Sequence, residues 1–249
     1  MIPKVLFRKV GEVDVVELKG FVCQPWARRT GEQMTEILDR NPARGLLLNM
    51  REVAKVDDEG AAKILEAARK SKKSGILGRN LPVHYIAERM EAGDSVRILD
   101  RNADAVNYFS RELAWAGEGI QEERRRYPRI QTALPVEFEL KDFEAPFFFE
   151  AVVTNLSEGG LYAHFLDSEM EELAGRTLDP FDLKLLEIRL SLPGGLVVTT
   201  EGKVLRETEE KTGVRGAALE FYQLKASDLG LIQNFLKQVG ERETGEEKK

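Results

Sequence analysis

The chain has 249 residues, 42% of them apolar, and a formal net charge of −6, which predicts one large core or two ordinary ones and argues against disorder. No apolar run approaches the roughly 18–20 residues of a membrane span, and the first residues lack the apolar stretch of a secretory signal. Cys23 is the single cysteine, which excludes an intrachain disulfide and a thiolate metal site and predicts a reducing, cytoplasmic setting.

In chain order, Val13–Leu18 reads as a strand ended by Gly20, and residues 25–38 have helical spacing through Met34, Ile37 and Leu38. Gly45–Met50 is a short apolar run suited to a buried strand. Asp57, Asp58 and Glu59 precede the alanine-rich stretch 61–68, as acids precede a helix at its N-terminus. Leu81–Ile86 reads as a third strand. Residues 95–99 read as a fourth strand or the end of a short helix, and 103–115 as a helix with Val106, Phe109 and Leu113 on one side. Alternating strands and helices predict an α/β unit.

After Ala116–Gln121, a stretch with two glycines and no periodicity, the texture changes. Short strand patterns at 134–140, 147–156, 161–165, 185–192, 196–206 and 215–221 alternate with turn signals and predict a small six-stranded antiparallel barrel. A helix over 228–239, with Leu229, Ile232, Leu236 and Val239 on its apolar face, closes the domain, and a charged tail follows.

Charge is unevenly placed. Residues 1–119 carry 20 Lys and Arg against 18 Asp and Glu; the remainder carries 17 against 25. Yet this acidic half holds Arg124, Arg125, Arg126 and Arg129 within six residues. One small basic focus on an acidic background favours a compact anion and opposes general nucleic-acid binding. About 25 residues later comes Asn155-Leu156-Ser157-Glu158-Gly159-Gly160.

Arg-x-x-x-Arg at Arg125 and Arg129, followed by Asn-x-Ser-x-x-Gly at Asn155, Ser157 and Gly160, resembles the signature of PilZ domains, bacterial receptors for cyclic di-GMP. The resemblance covers roughly residues 122–240. Either run alone is an ordinary surface cluster or strand-end turn; the ordered pair is what carries the likeness. It implies a barrel with a C-terminal helix, and a ligand with two phosphates and two guanines. A guanidinium fork fits a phosphate or the O6/N7 edge of guanine. On this reading Arg125 and Arg129 recognise phosphate and guanine, Asn155 and Ser157 hold a guanine edge, and Gly160 makes room, its bare backbone open to a base or a tight turn. In the resembled family an arginine at the position of Arg124 is associated with a stacked ligand dimer, which implies two molecules per site.

The order of elements in the first half, with the Val56-Asp57-Asp58-Glu59-Gly60 turn and the closing helix, resembles STAS domains, the anti-sigma-factor-antagonist fold, over roughly residues 5–116. That family usually carries Asp-Ser-Ser-Gly at this turn, with a phosphorylated serine. Here Asp58 and Glu59 occupy the serine positions, so the site is not phosphorylatable and already bears negative charge. Asp57, Asp58 and Glu59 are read either as a helix cap or as a docking site for an unknown regulatory protein.

The expected organisation is a STAS-like α/β domain at 1–116, a linker at 117–122, a PilZ-type barrel at 123–240 and a charged tail at 241–249. No nucleophile–base pair, His-x-x-x-His, Cys-x-x-Cys or Walker-type loop is present, so a non-enzymatic chain without metal or cofactor is expected. The leading expectation is a second-messenger receptor. The alternative is an interaction adaptor whose barrel is purely structural.

Overall fold

The computed structural model describes residues 2–40, 43–91, 94–114, 127, 129–140, 147–166, 185–209 and 215–246. Contacts divide the chain into two units, residues 1–112 and 113–249. The expected linker at 117–122 lies outside the described residues.

The first unit is built on a five-stranded sheet in the order β1-β2-β3-β4-β5, formed by Lys4–Val10, Val13–Val22, Gly45–Val56, Ser74–Leu77 and Val96–Leu99. β1 and β2 form an antiparallel hairpin, and β2 to β5 run parallel. Parallel neighbours need crossovers. Here α1 (Ala27–Arg40), α2 (Asp58–Arg69) and α3 (Leu81–Ala87) supply them. Met34 and Leu38 of α1, Ile64 and Leu65 of α2 and Val83 and Ile86 of α3 share one core with Val16, Leu48 and Ile76 of the sheet. On the opposite face α4 (Asn102–Tyr108) and α5 (Ser110–Leu113) replace the single expected helix. Phe109 stands at their junction, fully buried, with its ring over the bare Cα atoms of Gly45 and Gly75.

Two local expectations are corrected and one strand is added. Leu81–Ile86 is helix α3, not a strand: Pro82 sits in the first turn, where a missing N–H costs nothing. The Asn80 amide donates to the carbonyls of Met50 and Val53, both at 2.8 Å, and Val83 and Ile86 are buried at helical spacing. β2 does not end at Gly20 but runs through it, with φ +85° at a point where its register against β3 shifts. Glycine tolerates that geometry without strain. β1 joins the expected set although Arg8 interrupts its apolar pattern, because Arg8 is buried in an ion pair with Glu17 (3.1 Å).

The second unit is a closed barrel in the order β10-β11-β8-β7-β6-β9, with β6 Ile130–Leu140, β7 Phe147–Ser157, β8 Gly160–Phe165, β9 Leu185–Leu192, β10 Leu196–Glu209 and β11 Arg215–Tyr222. Every pairing is antiparallel, and closure leaves no open edge. Alternate residues fill the interior: Leu134, Val136 and Phe138 from β6, Leu186, Ile188 and Leu190 from β9, Ala217 and Leu219 from β11. The final helix, α6 (Ala226–Glu246), packs Leu231, Ile232, Phe235 and Leu236 against this core. That face is turned from the expected one, since Leu229 and Val239 are not part of the cluster, and the helix extends into the stretch expected to be tail.

Candidate functional site

The polar rim of the barrel is produced by a fault in strand β7. Ala151 and Val153 point inward, and strict alternation would send Asn155 and Ser157 into the core after them. A bulge intervenes: pairing with β8 skips from Val153 to Asn155, and pairing with β6 shifts over the same span. The extra residue, Thr154, reverses the phase. Leu156 becomes the core residue, and Asn155 and Ser157 turn to the outer side. The Thr154 hydroxyl is buried with no partner among the described residues, a cost that fits a fault kept for what it re-aims.

The expected residues then fall into place unevenly. Asn155 is half-buried and stands opposite Gln131 of β6 and Tyr162 of β8. Arg129 is exposed and immediately precedes Ile130, whose register partner is Leu156, so the arginine enters β6 alongside the Asn155–Ser157 end of β7. Ser157 is 5% exposed, and its hydroxyl donates to the Gly160 carbonyl at 3.1 Å. Its oxygen lone pairs remain as acceptors. Arg124 and Arg125 lie outside the described residues.

Gly160 is approached closely by backbone. A Cβ there would lie 2.2 Å from the Leu219 carbonyl oxygen, so the space it leaves is taken by strand β11. Its neighbour Gly159 was missed. A Cβ on Gly159 would lie 2.8 Å from the ring of Tyr127, and the Gly159 carbonyl accepts from Phe221 N–H at 3.0 Å. The available signals were the one aromatic residue inside the arginine run and the first glycine of the pair. Gln233 of α6 also donates to Glu158 at 3.1 Å, which joins the final helix to the same turn.

His164, two residues beyond Tyr162 on β8, adds no positive charge at neutral pH: burial pushes its pKa down to about 4. The Tyr162 ring meets it edge-on at 4.8 Å.

In the N-terminal unit Asp57 is the cap of α2. Its Oδ1 accepts from Gly60 N–H and its Oδ2 from Gln24 N–H, both at 2.8 Å. Asp58 accepts from the Tyr85 hydroxyl (2.8 Å) and from Arg89 Nε (2.9 Å) and Nη2 (2.8 Å). These partners, the tyrosine first, hold its carboxyl below the ordinary carboxylate range, while the Arg89 guanidinium lies 3.3 Å from the Tyr85 ring centroid. Glu59 accepts from Gln24 Nε2 at 2.7 Å and pairs with Arg28 at 3.8 Å. Gly60 closes the turn; a Cβ there would come within 1.9 Å of the Val22 carbonyl oxygen.

Among the described residues no cluster of His, Cys, Asp and Glu has the makings of a metal site, and no helix is long and apolar enough to cross a membrane.

Three comparisons with known proteins bear on this architecture. A search of curated proteins finds no match. Among solved structures, the chain is similar to the Bacillus subtilis inhibitor of motility MotI/DgrA, with 22% identity over 50% of this chain and 54% of that one and a TM-score of 0.38. It is similar to YcgR from Escherichia coli, solved in complex with c-di-GMP, with 20% identity over 50% of this chain and 49% of that one and a TM-score of 0.38. The match thus spans about half the length of each. The anti-sigma factor antagonist SpoIIAA in its unphosphorylated form shares 12% identity over 42% of this chain and 96% of that one, with a TM-score of 0.34. The PilZ domain family model matches residues 123–238, the span of the barrel and most of its closing helix: this part of the chain is a PilZ domain.

Proposed function

We propose that the chain is a non-enzymatic receptor for cyclic di-GMP, bound at the rim where the arginine run meets the β7–β8 turn. The observation that carries the reading is the bulge at Thr154, which turns Asn155 and Ser157 outward beside the entry of Arg129 into β6. In this reading Arg125 and Arg129 engage phosphate and guanine, Asn155 accepts from a guanine amino group, and Ser157 locks the turn while offering an acceptor. Arg124 extends the cationic surface to a second, stacked ligand molecule. Gly160 serves the barrel. No bond is made or broken in the ligand.

The signal is proposed to pass by ordering of the arginine-rich junction, which follows the sequence linker 117–122 and thereby alters the arrangement of the two domains and the binding of a regulatory protein at the STAS-like one. The Asp57–Glu59 turn is the proposed docking point. A single experiment tests the ligand assignment: calorimetric titration of cyclic di-GMP into the wild type, Arg125→Ala and Arg129→Ala. Loss of a guanidinium from a desolvated phosphate is expected to weaken binding by about 2–5 kcal/mol. Wild-type affinity in both variants removes this site, and small-angle scattering profiles that superimpose with and without ligand remove the rearrangement.

A further inference from the structure

Tyr127 stands at the centre of the Arg-x-x-x-Arg run, two residues after Arg125 and two before Arg129. Its ring occupies the place where any side chain on Gly159 would be: the added Cβ would lie 2.8 Å from Cδ2 and 3.1 Å from Cε2. Gly159 is itself immobilised from the other side. Its carbonyl accepts from Phe221 N–H of β11 at 3.0 Å, and the following glycine abuts the Leu219 carbonyl. The tyrosine therefore rests on a part of the turn that is fixed by the barrel wall. Two residues of chain reach at most about 7 Å, so fixing Tyr127 limits the volume Arg129 can explore.

From this geometry we propose that Tyr127 is a positioning residue for the cyclic di-GMP site, with Gly159 as its seat; the inference rests on the receptor reading above. The ring holds Arg129 at the rim before ligand arrives. An arm already in place loses less conformational freedom on binding, and a site populated in its competent form binds with its full intrinsic affinity. Gly159 acts only through the ring, since its lack of a Cβ is what admits the aromatic face.

The test is a cycle of variants in the full chain, Tyr127→Ala, Tyr127→Phe, Gly159→Ala and the Tyr127→Ala/Gly159→Ala double, each titrated with cyclic di-GMP. Tyr127→Ala and Gly159→Ala are each expected to weaken binding about tenfold. Tyr127→Phe, which keeps the ring, is expected to bind as the wild type does. The double variant is expected to be no weaker than Tyr127→Ala alone, because with the ring gone the new methyl displaces nothing. Wild-type affinity in Tyr127→Ala, losses that add in the double, or a Tyr127→Phe as weak as Tyr127→Ala overturns the proposal. If Gly159→Ala does not fold, the comparison of Tyr127→Ala with Tyr127→Phe decides alone. A second readout needs no ligand: trypsin is expected to cut after Arg129 faster in Tyr127→Ala and Gly159→Ala than in the wild type and Tyr127→Phe. Faster cutting in a protein that binds no cyclic di-GMP would overturn the receptor reading and leave only a structural clasp. Ligand binding by the wild type with unchanged cutting and unchanged affinity in the variants would overturn the positioning role alone.

Discussion

In the N-terminal unit Asp57 accepts from the N–H of Gly60, and Gly60 presses on the carbonyl of Val22; in the C-terminal unit Ser157 donates to the carbonyl of Gly160, and Gly160 presses on the carbonyl of Leu219. Both turns place a polar side chain three residues before a glycine that a backbone carbonyl makes obligatory. They differ in the polar groups gathered around them. Around Asp57 they are consumed internally, by Gln24, Tyr85, Arg89 and Arg28. Around Ser157 a bulge turns Asn155 outward and the chain delivers an exposed arginine beside it. A rim that places an amide and a guanidinium on an outer face suits an anion with base edges. The same local device thus serves a helix cap in one unit and the rim proposed to bind ligand in the other.

The sharpest way to break the likeness is at the glycines. Gly60→Ala and Gly160→Ala each drive a methyl into a carbonyl oxygen, and each is expected to destabilise its own unit by about 3 kcal/mol. Hydrogen exchange resolved by unit checks this. If Gly160→Ala leaves the barrel intact, the glycine is not there for β11.

Acidity separates the units next. Burial raises the Asp14 pKa to about 6, against the pull of Lys9 and with the push of Glu12. Its folded state prefers the proton, so this contribution to the first unit is fully present below about pH 3.8 and lost as pH rises through about 6. His164 has the opposite sign. Its folded pKa of about 4 lies below the ordinary 6.5, so the second unit loses stability as pH falls from 6.5 toward 4. Between pH 7 and 5 the first unit is expected to gain from Asp14 while the second loses from His164, each by roughly 1–3 kcal/mol. Asp14→Asn and His164→Phe are expected to flatten the pH dependence of their respective units. Equal slopes in variant and parent would contradict the burial of either group.

The smallest effects are expected at the acidic turn. Asp57→Ala removes a cap and is expected to cost the first unit about 1 kcal/mol. Asp58→Asn keeps the shape, and because the carboxylate is exposed its effect on stability is expected to be close to zero. A larger loss at Asp58 than at Asp57 would reverse the roles assigned to the two carboxylates.

Much of this was legible in the chain itself, for physical reasons that differ by element. Barrel strands such as Leu134–Leu140 and Leu185–Leu192 announce themselves by strict alternation, and α2 by its leading acids and alanines. β1 was hidden because a strand whose buried partner is an arginine breaks the apolar pattern. β4 was hidden because four residues that include Gly75 show no periodicity. Leu81–Ile86 misled because four apolar residues in six fit either period, and only the fixed Asn80 amide and the early proline settle it. At the site, the residue types were readable, whereas their direction was not. Asn155 and Ser157 face outward only because Thr154 breaks the alternation, and the gap between the inward residues Val153 and Leu156 was the one trace of it. The role of Gly160 was hidden because a strand 59 residues later in sequence, arriving with Leu219, fills the space beside it.

The central claim is that the rim beside Arg129 and Asn155 is a cyclic di-GMP site. Isothermal titration of the wild-type chain with that dinucleotide, repeated with Arg129→Ala, tests it most directly. The account predicts saturable heat in the wild type and a loss of about 2–5 kcal/mol in binding free energy in the variant. An unchanged titration in the variant, or none in a folded wild type, contradicts it.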